Sequence, residues 1–329
     1  MPANLTPDYL AAEERFREAV TIEDKIAALE EMMAVIPKHK GTDHLRGDLK
    51  RRLSKLRELQ EQQRRSGKRE AAPWRVERQG AGQVLLVGPP NAGKSAIVAR
   101  MTHAHPTVAD YPFTTQMPLP GMMEFENVQI QLVDTPPISA DYMEGWMGDL
   151  LRRADGCLLV ANLASDDWLD ETEVVLRRLR EKKIVLCGEI PPEREPILVY
   201  RRTLLVGNKW DAADAEARWE ILREVYAEQF PMIPVSTQTG EGLEELRRRT
   251  WEVLHVIRVY SKPPGQKPDM DVPFILKEGS TVLDLAAAVH KDFVEKLKQA
   301  RVWGSARFAG QSVERTHVLR DGDIVELHV

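Results

Sequence analysis

Short apolar runs alternate with amphipathic stretches through the middle of the 329-residue chain. Runs with the length of buried strands occur at residues 83–87, 121–126, 128–133, 156–161, 184–188, 203–207 and 232–235. Helical periodicity separates them, at residues 94–102, 142–153, 171–182, 213–228 and 241–258. This alternation predicts an α/β domain over residues 81–258 with a mainly parallel sheet. The proline-containing segment 189–201 is predicted to leave this domain as a surface excursion.

The first 70 residues have helical periodicity instead. One apolar stripe consists of Ile22, Ile26, Leu29, Met33 and Ile36. After a break at Pro37 and Gly41, a second stripe consists of Leu45, Leu49, Leu53, Leu56 and Leu59. Two striped helices joined by a short link predict an N-terminal helical hairpin within residues 1–70, and residues 62–74 are polar enough to form a linker.

A further unit is predicted at the C-terminus, over residues 266–329, after a linker at residues 262–270 that contains proline and glycine. Strand-like runs at residues 272–276 and 324–329 bracket a helix that begins after Thr281. Short strands around one helix are typical of a ubiquitin-like β-grasp unit, and this arrangement is the fold that we expect there.

Composition narrows the possible functions. A hydrophobic content of 43% can build real cores, and the net charge of −5 means that any nucleic-acid surface must be local. Residues 46–78 are such a candidate, with twelve Lys or Arg against five Asp or Glu, although a solvated helix face explains the charge equally well. No apolar run approaches the ~20 residues of a membrane span. The N-terminus lacks a signal-peptide pattern, so a cytoplasmic protein with reduced Cys157 and Cys187 is expected.

Residues 88–95 read Gly-Pro-Pro-Asn-Ala-Gly-Lys-Ser, which fits the phosphate-binding pattern G-x-x-x-x-G-K-S. They lie between a predicted strand and a predicted helix, where glycines let backbone N–H groups turn toward phosphate and the helix N-terminus adds positive charge. Lys94 would neutralise the β- and γ-phosphates, and Ser95 would hold Mg²⁺. The alternative is a strand–turn–helix that matches the pattern by chance.

Two later segments bear on the metal ion. Asp134 ends an apolar strand, from which its carboxylate would reach Mg²⁺ opposite Ser95. Thr114 and Thr115 lie in the sequence Tyr-Pro-Phe-Thr-Thr at residues 111–115, and one of them would close over the metal and the γ-phosphate. Taken alone, Asp134 has the ordinary alternative of a turn residue at a strand end.

Two segments that follow predicted strands bear on the base. Residues 208–211 read Asn-Lys-Trp-Asp and fit the pattern N-K-x-D. The carboxylate of Asp211 would accept hydrogen bonds from guanine N1–H and N2–H₂, a donor pair that adenine lacks, while the stem of Lys209 would cover the base. Ser236 and Thr237 would present backbone N–H groups to guanine O6. Asn208 has the alternative of a simple cap, but the loop, the aspartate and the N-K-x-D pattern in this order predict a guanine nucleotide site.

Together these motifs resemble those of the Obg-related, TRAFAC-class GTPases, and most closely the developmentally regulated GTP-binding (DRG) branch. The C-terminal unit resembles the TGS domain, through the sequence Ala-Arg-Val-Trp-Gly at residues 300–304 among others. The resemblance implies a P-loop NTPase G domain, a helical N-terminal region and a C-terminal β-grasp (TGS) domain. The nucleotide-binding residues that it implies are Gly88, Asn91, Ala92, Gly93, Lys94, Ser95, Ala96, Asn208, Lys209, Asp211, Ser236 and Thr237.

The same resemblance implies catalytic and metal roles. Lys94, Thr115 and Asn91 would be catalytic, and Ser95, Thr115 and Asp134 would hold Mg²⁺. Thr115 is preferred to Thr114 because the family motif places the metal-binding threonine second. In similar GTPases an asparagine at position 91 helps to bind K⁺, although a turn-favouring role is equally open here.

The chain departs from the family pattern in two places. Pro137 stands where the family has a glycine whose N–H meets the γ-phosphate, and proline has no N–H. Ile138 stands where many small GTPases carry a water-orienting glutamine. Two hypotheses follow: a slow, cation-dependent GTPase that acts with the ribosome or another RNA partner through residues 46–78 and the TGS domain, or a nucleotide-binding scaffold with negligible hydrolysis.

Overall fold

The computed structural model describes residues 9, 12, 15–16, 22–36, 46–57, 74–102 and 117–328. The chain divides into two compact units, Met1–Pro73 and Trp74–Val329. The segment 111–115 and residues 62–73 of the predicted linker lie outside the described residues, as do Leu45 and Leu59 of the second stripe. Among the helices of the described part, none is both long and apolar enough to cross a membrane.

Among the described residues of the first unit, the apolar stripes of two helices contribute to a core. Helix α1 spans Ile22–Val35, and residues 46–57 form helix α2. Leu29 and Leu49 are almost completely buried in this core. Its other buried members are Tyr9, Ala12, Ile26, Met32, Ile36 and Leu53. Where their burial is described, the predicted stripe residues Ile26, Leu29, Ile36, Leu49 and Leu53 are buried, whereas Met33 and Leu56 are only partly buried, and Met32 lies deeper than Met33.

The second unit begins with a seven-stranded sheet. Its strands are β1 Gln83–Val87, β2 Leu119–Phe125, β3 Val128–Asp134, β4 Gly156–Asn162, β5 Ile184–Cys187, β6 Val199–Asn208 and β7 Met232–Val235. The order is β2-β3-β1-β4-β6-β5, and β7 also pairs with β6. All neighbours are parallel except β2 and β3, which confirms the mainly parallel sheet.

Helices cover both faces of this sheet, which explains why its central strands are continuously apolar. They are α3 Lys94–Met101, α4 Met147–Arg153, α5 Trp168–Glu181, α6 Ala215–Tyr226 and α7 Leu243–Leu254. In β1, Leu85 and Val87 pack with α4, α5 and α6, whereas Val84 and Leu86 pack with α3 and α7. All four side chains are fully buried. The carboxyl ends of β1, β3, β4, β6 and β7 thereby meet at one edge.

Three predicted elements of the α/β domain differ from the structure by four or more residues at one end. The helix expected over 142–153 begins at Met147, because Ser139 and Tyr142 form a turn in which each backbone N–H is bonded to the other residue. The helix expected over 241–258 ends at Leu254, after which His255 adopts a left-handed conformation with φ of 48°. The strand expected over 203–207 extends back to residue 199 and pairs there with β5.

The residues after His255 enter a second, five-stranded sheet. Its strands are β8 Val256–Ser261, β9 Phe274–Lys277, β10 Gln299–Trp303, β11 Gln311–Val313 and β12 Asp323–His328. Helices α8 Val282–Val289 and α9 Lys291–Lys296 lie within this unit, and Thr281 and Asp284 form a capping box at the start of α8. Because Ile257 and Val259 are buried in the core of this unit, the sheet starts before residue 266, where the sequence analysis places its beginning.

The two sheets of the second unit contact each other through the turn between β2 and β3. Arg258 in β8 forms an ion pair with Glu126 in this turn and another with Asp321, which lies just before β12. Its guanidinium lies 5.2 Å from the ring centroid of Trp251. The side chain of Asn127 donates to the hydroxyl of Tyr260 at 2.8 Å and to the carbonyl of Met270 at 3.2 Å. The strand that ends at Asp134 is therefore joined at its other end to the C-terminal unit.

Candidate nucleotide-binding site

The loop between β1 and α3 is shaped by two close backbone approaches. A Cβ atom on Gly88 would lie 2.5 Å from the carbonyl oxygen of Val160 in β4. Gly93 has φ of 89°, and a Cβ atom there would lie 2.2 Å from the side-chain nitrogen of Asn208. Both positions therefore require glycine. Asn91 also adopts a left-handed conformation, with φ of 57°, and its side chain is exposed at the rim of the loop.

Lys94 lies across this loop and is only 6% exposed. Its ammonium donates hydrogen bonds to the carbonyl oxygens of Gly88 at 3.1 Å and Pro89 at 3.0 Å. Burial lowers the pKa of Lys94 to about 8, while the charge of Asp134 acts in the opposite direction. A buried ammonium held by two carbonyl oxygens is well placed to exchange them for the oxygens of an anion.

Ser95 and Asp134 bring two oxygen ligands together beside Lys94. The Ser95 hydroxyl donates to Oδ2 of Asp134 at 2.5 Å. The other carboxylate oxygen, Oδ1, is buried and has no hydrogen-bond partner among the described residues. Burial raises the pKa of Asp134, and the Ser95 hydrogen bond and the Lys94 charge oppose that shift. A hydroxyl and a carboxylate with an unsatisfied oxygen are suitable ligands for Mg²⁺.

The protein groups around this position do not form a complete metal cage. In the part of the chain that the structure describes, no group of three or more His, Cys, Asp or Glu side chains is arranged to hold a metal ion. Mg²⁺ usually keeps several waters and binds one or two protein ligands together with substrate phosphates. The pair of Ser95 and Asp134 fits that mode, while the predicted third ligand, Thr115, lies outside the described residues.

Asn208 connects the phosphate loop to the predicted base-binding residues. It is fully buried at the end of β6, and its side-chain nitrogen donates to the carbonyl of Ala92 at 2.8 Å. Its amide oxygen is buried and has no partner among the residues that the structure describes. The next residue, Lys209, has φ of 66°. This turn places its side chain, like that of Asp211, at the carboxyl edge of the sheet.

A second hydroxyl orients Asp211. The buried Ser236 donates from Oγ to Oδ1 of Asp211, and the same Oγ accepts from the backbone N–H of Thr239 at 3.0 Å. Asp211 itself is exposed. Thr237 is half-buried in the turn between β7 and α7. The sequence placed Ser236 near the base for its backbone N–H, but it gave no signal for this side-chain contact across 25 positions.

The described candidates therefore collect at one edge of the sheet. The phosphate loop with Ala96 at the start of α3 provides one part, Asp134 at the end of β3 the second, and residues 208–211 and 236–237 the third. Contacts between Asn208 and Ala92 and between Ser95 and Asp134 join these parts. This grouping is the one expected for ligand sites in open α/β sheets.

The segment after Asp134 packs along the phosphate loop, a contact that the sequence analysis did not anticipate. The hydroxyl of Thr135 donates to the carbonyl of Leu86 at 2.7 Å. The backbone N–H of Ile138 donates to the carbonyl of Gly88 at 3.1 Å, and the Ile138 side chain is fully buried. The segment is thus held by its backbone and by the hydrophobic core.

Comparisons with known proteins agree with this architecture. A family model described as a 50S ribosome-binding GTPase matches residues 83–189, and the TGS domain model matches residues 257–329. An uncharacterized GTP-binding protein of Methanocaldococcus jannaschii is 31% identical over 367 residues, covering 94% of this chain and 93% of that protein. Developmentally-regulated G-protein 2 of Arabidopsis thaliana is 28% identical over 362 residues, covering 93% of this chain and 91% of that protein.

A solved structure shares the fold. A GTP-binding protein from Pyrococcus horikoshii OT3 has a TM-score of 0.51 at 18% identity, covering 75% of this chain and 99% of that one. The two relatives match this chain over nearly its whole length, and the TGS model covers the second sheet. The chain belongs to the DRG family of GTP-binding proteins, Obg-related GTPases with a C-terminal TGS domain.

Proposed function

We propose that this chain hydrolyses GTP to GDP and phosphate, slowly and with Mg²⁺, and that it acts together with the ribosome or another RNA-bearing partner. The observation that supports hydrolysis is the convergence of Lys94, Ser95 and Asp134 on one loop. Asn208, three residues before Asp211, donates a hydrogen bond to Ala92 in this loop. The carboxylate of Asp211, which Ser236 orients, is proposed to recognise guanine. One chain thus holds the groups for the base, the phosphates and the metal in a single edge of the sheet.

Each group has a proposed role. Lys94 neutralises charge on the β- and γ-phosphates, and backbone N–H groups of the loop bind the phosphate oxygens. Ser95, Asp134 and Thr115 hold Mg²⁺, which supplies further charge neutralisation when bound. Asn91, at the exposed rim of the loop, assists K⁺ binding. Lys209 covers the base, and Ser236 and Thr237 complete its pocket.

Phosphate release tests hydrolysis. With GTP and Mg²⁺ we expect turnover on the order of 10⁻³ s⁻¹ or slower, as for GTPases that lack an arginine finger, and faster release in K⁺ than in Na⁺. The matched variant is Asn91→Gly, because glycine keeps the φ of 57° without the side chain. It should lose the K⁺ effect and still bind GDP. Absence of phosphate release in both salts, with ribosomes present, would contradict hydrolysis.

A nucleotide-binding scaffold without hydrolysis is the second candidate, and one observation favours it. Ile138, in the segment that follows Asp134, is apolar and fully buried, so its side chain offers no polar group to orient a water molecule. A scaffold would bind GTP and Mg²⁺ with the same residues but release no phosphate. Measuring nucleotide binding and phosphate release on the same sample therefore separates the two functions.

The proposed RNA partner is supported by the surface of helix α2 and by the TGS domain. Lys50, Arg52 and Lys55 are exposed on α2, and none of the ion pairs within the described residues involves them. By contrast, Arg51 pairs with Asp48 and Arg57 pairs with Glu30. Cations with no ion-pair partner among the described residues are available for phosphate contacts, and such binding weakens as salt concentration rises.

Co-sedimentation with ribosomal particles at low and high salt tests this proposal. Replacing Lys50, Arg52 and Lys55 together by Glu should weaken association at low salt by at least about tenfold. The matched control replaces Arg177, Arg180 and Lys182 by Glu, an equal change in net charge at exposed positions in and beside α5. Equal sedimentation of both triple variants and the parent chain would overturn the role of α2, and no association at low salt would overturn the RNA partner itself.

A further inference from the structure

The four residues at positions 136–139 have no free backbone N–H in the structure. Pro136 and Pro137 have no N–H at all. The N–H of Ile138 donates to the carbonyl of Gly88 at 3.1 Å, and the N–H of Ser139 donates to the carbonyl of Tyr142 at 2.9 Å. Residues 136–139 therefore present no backbone donor to a ligand.

This segment lies beside the phosphate loop. The carbonyl of Gly88 accepts both from the N–H of Ile138 and from the ammonium of Lys94, each at 3.1 Å. Pro137, the residue directly before Ile138, is therefore close to the group proposed to neutralise the γ-phosphate. Pro137 is half-buried, whereas Ile138 is fully buried.

The segment is also held in place. Thr135 donates from its hydroxyl to Leu86 at 2.7 Å, and Ile138 packs in the core formed with Val133 and Met147. Freeing the Ile138 N–H for a ligand would break its bond to Gly88 and move a buried side chain. The N–H that would be available at position 137 in any residue other than proline is missing for covalent reasons.

We propose that Pro137 lowers the ability of this site to distinguish GTP from GDP. The inference rests on the proposed nucleotide site. The loop N–H groups and Lys94 can contact the β-phosphate of either nucleotide, and each further group that contacts the γ-phosphate adds to the preference for GTP. A backbone N–H at position 137 would add a charge-assisted hydrogen bond to the terminal phosphate. Because residue 137 is proline, this chain lacks that hydrogen bond. Pro137 is thus a specificity-determining residue.

The test compares the dissociation constants of GDP and a non-hydrolysable GTP analogue, with Mg²⁺, by competition against a fluorescent guanine nucleotide. Pro137→Gly and Pro137→Ala both restore the N–H. We expect each variant to raise the ratio of the GDP constant to the analogue constant about tenfold, the effect of one charge-assisted hydrogen bond. A general loss of stability would weaken the binding of both nucleotides alike. The ratio of the two dissociation constants therefore reports only the contribution of the terminal phosphate.

The control is Pro192→Gly, a loss of proline in the exposed connection between β5 and β6, which should leave the ratio unchanged. An unchanged ratio in both Pro137 variants would overturn the proposal, as would a change confined to Pro137→Gly, because backbone freedom and not the donor would then be responsible. A parent chain that already prefers the analogue by more than about a hundredfold would overturn it as well. Failure to bind either nucleotide would instead contradict the proposed function.

Discussion

At the scale of the residue, the site depends on pairs that are distant in sequence and complementary in shape. Asn208 fits only because Gly93 has no side chain, and its amide then reaches Ala92. Ser236 orients Asp211 in the same way, through a hydroxyl buried beneath an exposed carboxylate. Motif spacing predicts which residues approach a ligand, but it does not predict how they hold one another.

Replacing Asp211 by Asn tests the proposed base recognition. The carboxylate only accepts hydrogen bonds, whereas an amide also donates and would oppose the N1–H and N2–H₂ donors of guanine. We expect the affinity for GDP to fall by about a hundredfold or more. The affinity for xanthosine diphosphate should rise, because this nucleotide presents an acceptor at the 2-position. Competition binding measures both. The control is Asp214→Asn, exposed at the start of α6, and equal effects of the two substitutions would contradict the assignment.

The two cysteines should differ in reactivity. Burial raises the pKa of the Cys157 thiol to about 12, and burial also raises the pKa of the half-buried Cys187. Both thiols are therefore mostly protonated at pH 8, and only the thiolate reacts with alkylating reagents. We expect slow labelling of Cys187 and none of Cys157 until the chain is unfolded, as measured by peptide mass spectrometry. Native labelling of Cys157 as fast as that of Cys187 would contradict its placement in β4.

At the scale of the element, an irregular segment of the G domain is held by its neighbours. Residues 135–146 form no regular helix or strand, yet Trp146 stacks on Trp74 with ring centroids 6.1 Å apart and planes inclined by 5°. The segment that begins at Trp74 is fixed in turn by Arg78, which pairs with Asp155 at 2.5 Å. Helical periodicity at residues 142–153 overestimated α4, because tertiary contacts decided where the regular helix begins.

Substitution of Trp74 measures the strength of this contact. Trp74→Ala should lower the free energy of unfolding by about 1–2 kcal/mol, because it removes a stacked aromatic pair and its buried area. Trp74→Phe keeps an aromatic ring in place, so it should lower the free energy of unfolding by less than half as much as Trp74→Ala. Urea denaturation followed by circular dichroism gives both values. Equal losses for the two variants, or no loss for Trp74→Ala, would contradict a stabilising stack.

At the scale of the molecule, a largely buried cation, Arg258, joins the G domain to the TGS domain. The Arg258 side chain is only 12% exposed and lies between Asp321 in the C-terminal unit, Glu126 in the β2–β3 turn and the ring of Trp251. Hydrophobic contacts extend this junction, since Ile275 of β9 packs against the core of the G domain. The strand β3 connects this junction directly to Asp134.

Arg258→Ala should destabilise the second unit by about 1–3 kcal/mol, because it removes a largely buried guanidinium that packs on Trp251 and pairs with the exposed carboxylates of Asp321 and Glu126. Arg258→Lys should restore little, since a single ammonium cannot bridge two carboxylates and stack on an indole in the way that a guanidinium does. Urea unfolding provides the measurement. As a control, Arg248→Ala removes exposed pairs with Glu245 and Glu252 and should cost no more than about 1 kcal/mol. An Arg258→Ala loss no greater than this control would contradict the junction.

The sequence by itself determined the class of fold, the order of strands and helices in the G domain, and the family. These follow from local patterns: continuous apolar runs mark strands buried on both faces, and the phosphate loop needs its glycines and lysine at fixed spacing. Element ends were less predictable, since β8 continues an apolar stretch that periodicity assigned to the preceding helix. Local apolarity does not reveal which of two cores a side chain will enter.

Only the tertiary structure decided how the site is held together. The bond from Ile138 to Gly88, the link from Asn208 to Ala92 and the junction at Arg258 each join residues that the chain separates by tens of positions. Such contacts depend on the packing of whole strands and helices, which no short window of sequence specifies. Pro137 shows the difference most clearly: the sequence shows that its N–H is missing, and the structure shows that its neighbours provide no substitute.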